Sequence, residues 1–176
     1  MNAYEIEATF PSKHRLPEPI SDICRFVSTY GYPISGCFEI SKIGMSDVRA
    51  WFPDDAAAQA AFLPFGRGAC GEVYAIWLTE GLTPESAPVI MLGSEGQLEV
   101  LSVDSREFCR LLCLGYSEIG SDDPDFPPSD FTETKPFRDF IQEKYNFDLP
   151  ATARPIVEMA SSRFPKFADW VEAHQR

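Results

Sequence analysis

The sequence predicts an α+β fold: a single domain with a mainly antiparallel sheet packed by helices and a helical C-terminal segment. Three observations carry that expectation. Strand signals cluster in the middle of the chain, helix signals flank them on both sides, and no repeat or linker divides residues 1–176 into two cores. With 44% hydrophobic and 13% aromatic residues, a chain of 176 has the means to bury a substantial core.

The elements follow in order. After an extended start, Ser21 can cap a helix to about residue 30, with Ile23, Phe26, Val27 and Tyr30 on one face and Gly31 as its stop. Residues 38–43 alternate as a strand. Asp54 or Asp55 can cap a short alanine-rich helix that ends near Phe62, before Pro64. Residues 72–78, Glu-Val-Tyr-Ala-Ile-Trp-Leu, are rich in strand formers. Residues 88–92 and 97–103 flank Gly93-Ser94-Glu95-Gly96, the signature of a hairpin turn. Asp104 and Glu107 have capping-box spacing for a helix through Leu114, stopped by Gly115, with Phe108, Leu111 and Leu112 as its buried stripe. Residues 116–134 form a connection rich in Pro, Asp and Ser. Two helices follow over 136–145 and 152–163, and residues 165–175 place Phe167, Trp170, Val171 and His174 at helical spacing.

Charge narrows the function classes. Fifteen basic residues stand against 27 acidic ones, a net charge of −12, which argues against binding nucleic acid or an anionic membrane. The excess is local: residues 68–134 carry 13 acids and only Arg106 and Arg110 as bases. Such a field either keeps a surface solvated or steers a basic partner to it. The start of the sequence lacks the basic stretch and apolar run of a signal peptide, no run has membrane-spanning length, and five cysteines show no metal spacing. A cytoplasmic protein with reduced thiols is the expectation.

Several motifs invite a catalytic reading. Gly66-Arg67-Gly68-Ala69-Cys70-Gly71-Glu72-Val73 satisfies both G-x-G-x-x-G and its kinase form. A dinucleotide site needs a strand before the glycines and a helix after, whereas here a helix is expected before and a strand after. A kinase needs a lysine on the next strand, and none occurs between Lys42 and Lys135. A structural turn explains the run better. Cys70 would need a base, and the two histidines, His14 and His174, lie near opposite chain ends. Cys24, Cys109 and Cys113 read as small core residues, and Trp51, Trp77 and Trp170 as packing rather than ligand platforms. No catalytic residue, cofactor site or metal site is assigned, so the chain is read as a non-enzyme.

Residues 116–134 carry the functional expectation instead. Glu118, Asp122, Asp123, Asp125, Asp130 and Glu133 are interleaved with Phe126, Phe131 and three prolines. Acids supply steering, exposed rings supply packing on a partner, and prolines lower the ordering cost of binding. The bland alternative is a surface loop whose rings tuck back onto the core.

Three stretches also look familiar together. They are Phe65-Gly66-Arg67-Gly68 with Gly71-Glu72-Val73-Tyr74-Ala75-Ile76-Trp77-Leu78, then Pro88-Val89-Ile90-Met91-Leu92-Gly93-Ser94-Glu95-Gly96, then Phe108-Cys109-Arg110-Leu111-Leu112-Cys113-Leu114-Gly115-Tyr116. With the tail Phe164-Pro165-Lys166-Phe167-Ala168-Asp169-Trp170-Val171, they resemble bacterial members of the SUKH superfamily, relatives of a yeast cell-wall-integrity regulator. Arg15-Leu16-Pro17 is only a faint echo of that family's early Leu-Pro segment. The resemblance implies an α+β domain whose bacterial members often act as immunity proteins, binding and neutralising toxins, many of them nucleases. It brings no catalytic residues. The expectation is therefore an intracellular immunity protein that binds a basic, nuclease-type toxin through its acidic surface, contacting it over 118–133. A regulatory scaffold domain with a host partner is the first alternative, and a hydrolase built on carboxylates or Cys70 is the second.

Overall fold

The computed structural model describes residues 2–11, 13–79, 81–128 and 134–175. It is an α+β fold built on a five-stranded antiparallel meander: β1 (Glu39–Ile40), β2 (Phe62–Arg67), β3 (Val73–Trp77), β4 (Val89–Leu92) and β5 (Leu98–Ser102), in that spatial order. Strand alternation points side chains to both faces, and both faces are covered. Leu63, Phe65, Tyr74, Ile76, Met91 and Leu101 share a core with α2 (Glu18–Tyr30), α5 (Ser105–Leu112) and α6 (Lys135–Tyr145). Phe62, Ala75, Trp77, Ile90, Leu92 and Val100 pack instead with Val48 of α3 (Met45–Trp51), Ala58 of α4 (Ala56–Ala60), and Phe167 and Val171 of α8 (Phe167–His174). Helix α7 (Arg154–Arg163) lies against the outer strand β5; its Ile156 joins the first core and its Ala160 the second, so it straddles the sheet edge.

Helix α5 shows why the local signals succeed. Asp104 Oδ1 accepts the Glu107 N–H at 2.9 Å, and Phe108, Leu111 and Leu112 are buried as the spacing demands. Each such side chain contributes roughly 1.5–3 kcal/mol by leaving water. Only half of the capping box forms, because the Glu107 carboxylate turns to Arg110 Nη1 at 3.0 Å. Gly115 adopts a left-handed φ of 89° beyond the helix end. Asp104→Ala is expected to cost about 1 kcal/mol, read as a lowered urea midpoint with unchanged slope.

Four expectations are corrected. The alanine-rich helix forms with Asp55 as its cap, but the strand β2 and not the helix directly precedes the glycine run, which connects β2 to β3 as a hairpin loop. Pro64 is accommodated because the ladder shifts register between Pro64 and Gly66, where a missing N–H matters least. The loop is closed by Glu72: its Oε2 accepts the Cys70 N–H at 3.0 Å, its carbonyl accepts the Gly68 N–H at 3.0 Å, and Gly71 has φ of 97°. A side chain at Gly66 would run into the Phe38 ring 2.5 Å away, so that glycine serves packing. Secondly, α2 begins at Glu18 rather than at Ser21, since Pro19 is tolerated in a first turn. Thirdly, the extended start contains α1 (Ala3–Glu7), held by the Asn2–Glu5 capping box, and α3 went unread because only Val48 of it is buried. Strand β1 is also shorter than residues 38–43. Among the described residues no helix is long and apolar enough to cross a membrane.

Candidate partner-binding site

Residues 116–128 contain neither helix nor strand, yet the fold fixes them from several directions. The Tyr116 hydroxyl donates to the Phe126 carbonyl at 2.7 Å and accepts the Ala153 N–H at 2.8 Å. The Tyr74 hydroxyl, rising from β3, donates to the Ile119 carbonyl at 2.9 Å. Cys37 N–H and Ser35 Oγ tie the carbonyls of Ser117 and Tyr116 to the segment before β1, at 2.9 and 3.1 Å. Ile119 is buried, and Gly120, at φ 87°, sits so close to Met91 that an added Cβ would meet its sulfur at 2.8 Å. Burial, with the acids of this loop, raises the affinity of both the Tyr74 and Tyr116 phenols for their protons.

The acids are arranged by the loop itself. Glu118 is exposed; its N–H donates to Asp122 Oδ2 at 2.7 Å, while its carbonyl accepts the Ser121 and Asp122 N–H groups at 3.1 and 2.8 Å. Asp123 Oδ1 accepts the Asp125 N–H at 2.9 Å. Asp125 differs from its neighbours: the Arg154 guanidinium grips its carboxylate, holds it below the ordinary aspartate range, and also reaches Glu158 Oε1 at 2.9 Å. Its charge is therefore largely answered within the chain. Phe126 projects its ring outward, 66% exposed, so the expectation that such a ring tucks back onto the core does not hold for it. Asp130, Phe131 and Glu133, the remaining predicted contacts, lie outside the described residues.

Two depressions flank the Asp122–Asp123 pair. One, of about 200 Å³, is bordered by Tyr116, Phe126 and Pro127. The other, of about 280 Å³, runs under the loop between β5, α5 and α7. Leu101, Leu111 and Val157 give its apolar walls, and Glu99, Asp122 and Asp123 its carboxylates. Glu99 was missed in the sequence, although Met91 opposite it on β4 shows that it lies on the sheet face shared with α2, α5 and α6. Burial raises its carboxyl above the ordinary glutamate range, and no hydrogen bond or ion pair engages it among the described residues. Neither His14 nor His174 lines either depression, and Cys70 stands in the exposed β2–β3 loop. Among the described residues no group of three or more His, Cys, Asp or Glu side chains is placed to hold a metal ion.

Comparisons with protein-family models, with curated proteins and with solved structures give no match.

Proposed function

We propose that this chain is an immunity-type protein that neutralises a basic protein toxin, a nuclease being the class that such a surface fits best. One observation carries the reading: a preordered loop presents Asp122 and Asp123 as a ridge between two depressions, with an exposed Phe126 beside it. A fixed loop loses little entropy on docking, and carboxylates beside an exposed ring are what a positively charged, partly apolar surface needs. A net charge of −12, concentrated in residues 68–134, adds long-range attraction. Enzymes that hold phosphate backbones are basic at their substrate channels, so an acidic inhibitor competes for the same surface. The resemblance to SUKH immunity proteins supports the same class of partner. Glu118, and from the sequence alone Asp130, Phe131 and Glu133, are proposed as further contacts of the same partner.

The test is to capture the partner from the protein's own cells, purify it, and measure both its toxic activity and its association rate. The Asp122→Asn/Asp123→Asn double variant is expected to slow association about five- to tenfold at low ionic strength, with a shallower salt dependence. Asp125→Asn should do less, since Arg154 already answers that charge. Tight binding that ignores both salt and the double substitution would overturn this reading. A captured host protein without toxic activity would favour the regulatory scaffold.

A further inference from the structure

The larger depression combines three properties that seldom coincide on a solvated surface. Part of its lining is apolar, with Leu101, Leu111 and Val157 contributing from β5, α5 and α7. Its charges are all of one sign: Glu99, Asp122 and Asp123 line it, and none of its described lining residues is basic. Its size, about 280 Å³, falls below the range typical of pockets for whole small-molecule ligands and suits a single inserted side chain.

The carboxylates are also unequally satisfied. Asp122 and Asp123 each accept one backbone N–H of the loop. Glu99 is half-buried on the sheet face that also carries Met91 and Leu101, and has no partner among the described residues. A carboxylate that has given up part of its water without gaining a protein donor is held less well than a fully solvated one, and a donor that docks beside it improves its lot. The guanidinium of Arg154, on the same helix as Val157, is held by Asp125 and Glu158, and that of Arg110, beside Leu111, by Glu107 and the Asp148 carbonyl. A charged donor for Glu99 would therefore have to come from outside the chain.

We propose that this cavity receives an arginine side chain of the protein partner, its methylenes against Leu101, Leu111 and Val157 and its guanidinium among Glu99, Asp122 and Asp123. The proposal rests on the reading that the acidic face binds a basic protein. Arginine fits better than lysine because its guanidinium is more weakly hydrated and forks toward more than one carboxylate, while its stem packs on apolar walls. A bare metal ion fits worse, since the acids do not converge into a coordinating group. Burial raises the Glu99 carboxyl, and a guanidinium alongside would bring it down again, a gain that only a cationic occupant provides.

The probe is a set of capped tripeptides, Gly-Arg-Gly and its neutral citrulline counterpart, titrated at millimolar concentration into the full-length ¹⁵N-labelled chain. The arginine peptide is expected to shift the amides of Glu99, Gly120 and Val157, and the citrulline peptide to leave them in place. Glu99→Gln should weaken arginine-peptide binding by about fivefold or more. Val157→Phe fills the cavity without altering any charge, and should abolish the shifts at Glu99 and Gly120; its melting temperature reports whether the fold is intact. Equal shifts with both peptides would overturn the proposal. So would shifts confined to the exposed acids and indifferent to Val157→Phe, or no shifts at the cavity amides. Intact arginine-peptide binding in a chain that captures no toxin would leave the cavity standing and sink only the immunity reading. A captured toxin bound equally well by Val157→Phe would do the reverse.

Discussion

Raising the pH from 8 to 11 is expected to strip the protein of most of its stability, with unfolding complete near the upper end. Three thiols are buried: Cys24 on α2, Cys109 on α5, and Cys113 just past its end. Burial pushes Cys24 up to about 11 and Cys113 up to about 12, and Cys109, whose thiol faces the Pro19 carbonyl at 3.4 Å, is raised well above its ordinary value. A raised value means that the folded state keeps a proton which the unfolded chain gives up. Their contribution is intact below the unfolded thiol value near 8.5 and is lost as pH climbs toward the folded values. By pH 11 the cost is about 2–3 kcal/mol for each of Cys24 and Cys113. Above pH 10 the phenols add to it: Tyr32 is pushed up to about 12, and Tyr74 and Tyr145 are raised further. Set against a total stability of roughly 5–15 kcal/mol, these losses suffice to unfold the chain. Urea midpoints at pH 7, 9, 10 and 11 measure the decline, and Cys24→Ala should flatten it. A thiol reagent provides the cross-check: exposed Cys37 and Cys70 react at once at pH 7, and the other three only on unfolding. A flat profile to pH 11 would mean that water reaches the buried thiols.

One of these phenols connects this behaviour to the candidate site: Tyr74, together with Tyr116, supplies the hydroxyls that hold residues 119 and 126 of the acidic loop. Neither role was legible in the sequence. A tyrosine in a strand and another after a helix look like ordinary core residues until the topology sets them under one loop. Asp122, Asp123 and Phe126 could be found by composition alone, since acids, rings and prolines crowd one connection. Glu99 could not, because its significance depends on which of the two covered faces of β5 it occupies, and that is set by pairing with Met91. The neutralised state of Asp125 was equally hidden, as its partner lies 29 residues further on. In the fold, α5 and the β4–β5 hairpin were legible because cap, stripe and turn agree locally. The strand β2 was not: Pro64 reads as a breaker, and only the register shift explains its place in a sheet.

Lys144→Met is expected to cost about 3 kcal/mol, more than Asp22→Asn, and the two effects are expected not to add. Asp22 on α2 has a side chain with no solvent exposure, and α6 supplies what satisfies it: Lys144 Nζ at 2.6 Å and the Tyr145 hydroxyl at 2.5 Å, both on Oδ2. Arg25 Nη1 stands 2.8 Å from Oδ1, close enough for an ion pair but not aligned for a hydrogen bond. Lys144 also reaches Glu18 at 2.6 Å; loss of water lowers its proton affinity, but the two carboxylates outweigh that and raise it. The cluster therefore joins α2 to α6 with one wholly buried charge at its centre. Removing the lysine strands that charge, whose remaining cationic partner, Arg25, is 58% exposed and contributes little. Removing the charge from Asp22 instead leaves Lys144, already 32% exposed, free to turn toward water and Glu18. The cost then falls to about 2 kcal/mol. In the Asp22→Asn/Lys144→Met double variant neither charge remains, and a coupling of about 1–2 kcal/mol should be recovered. For a chain of this size each kcal/mol lowers the melting temperature by about 2–4 °C, so the three variants are readily ranked by melting temperature and urea midpoint. Strictly additive costs, or a smaller loss for Lys144→Met than for Asp22→Asn, would show that Asp22 draws its stabilisation from solvent rather than from α6.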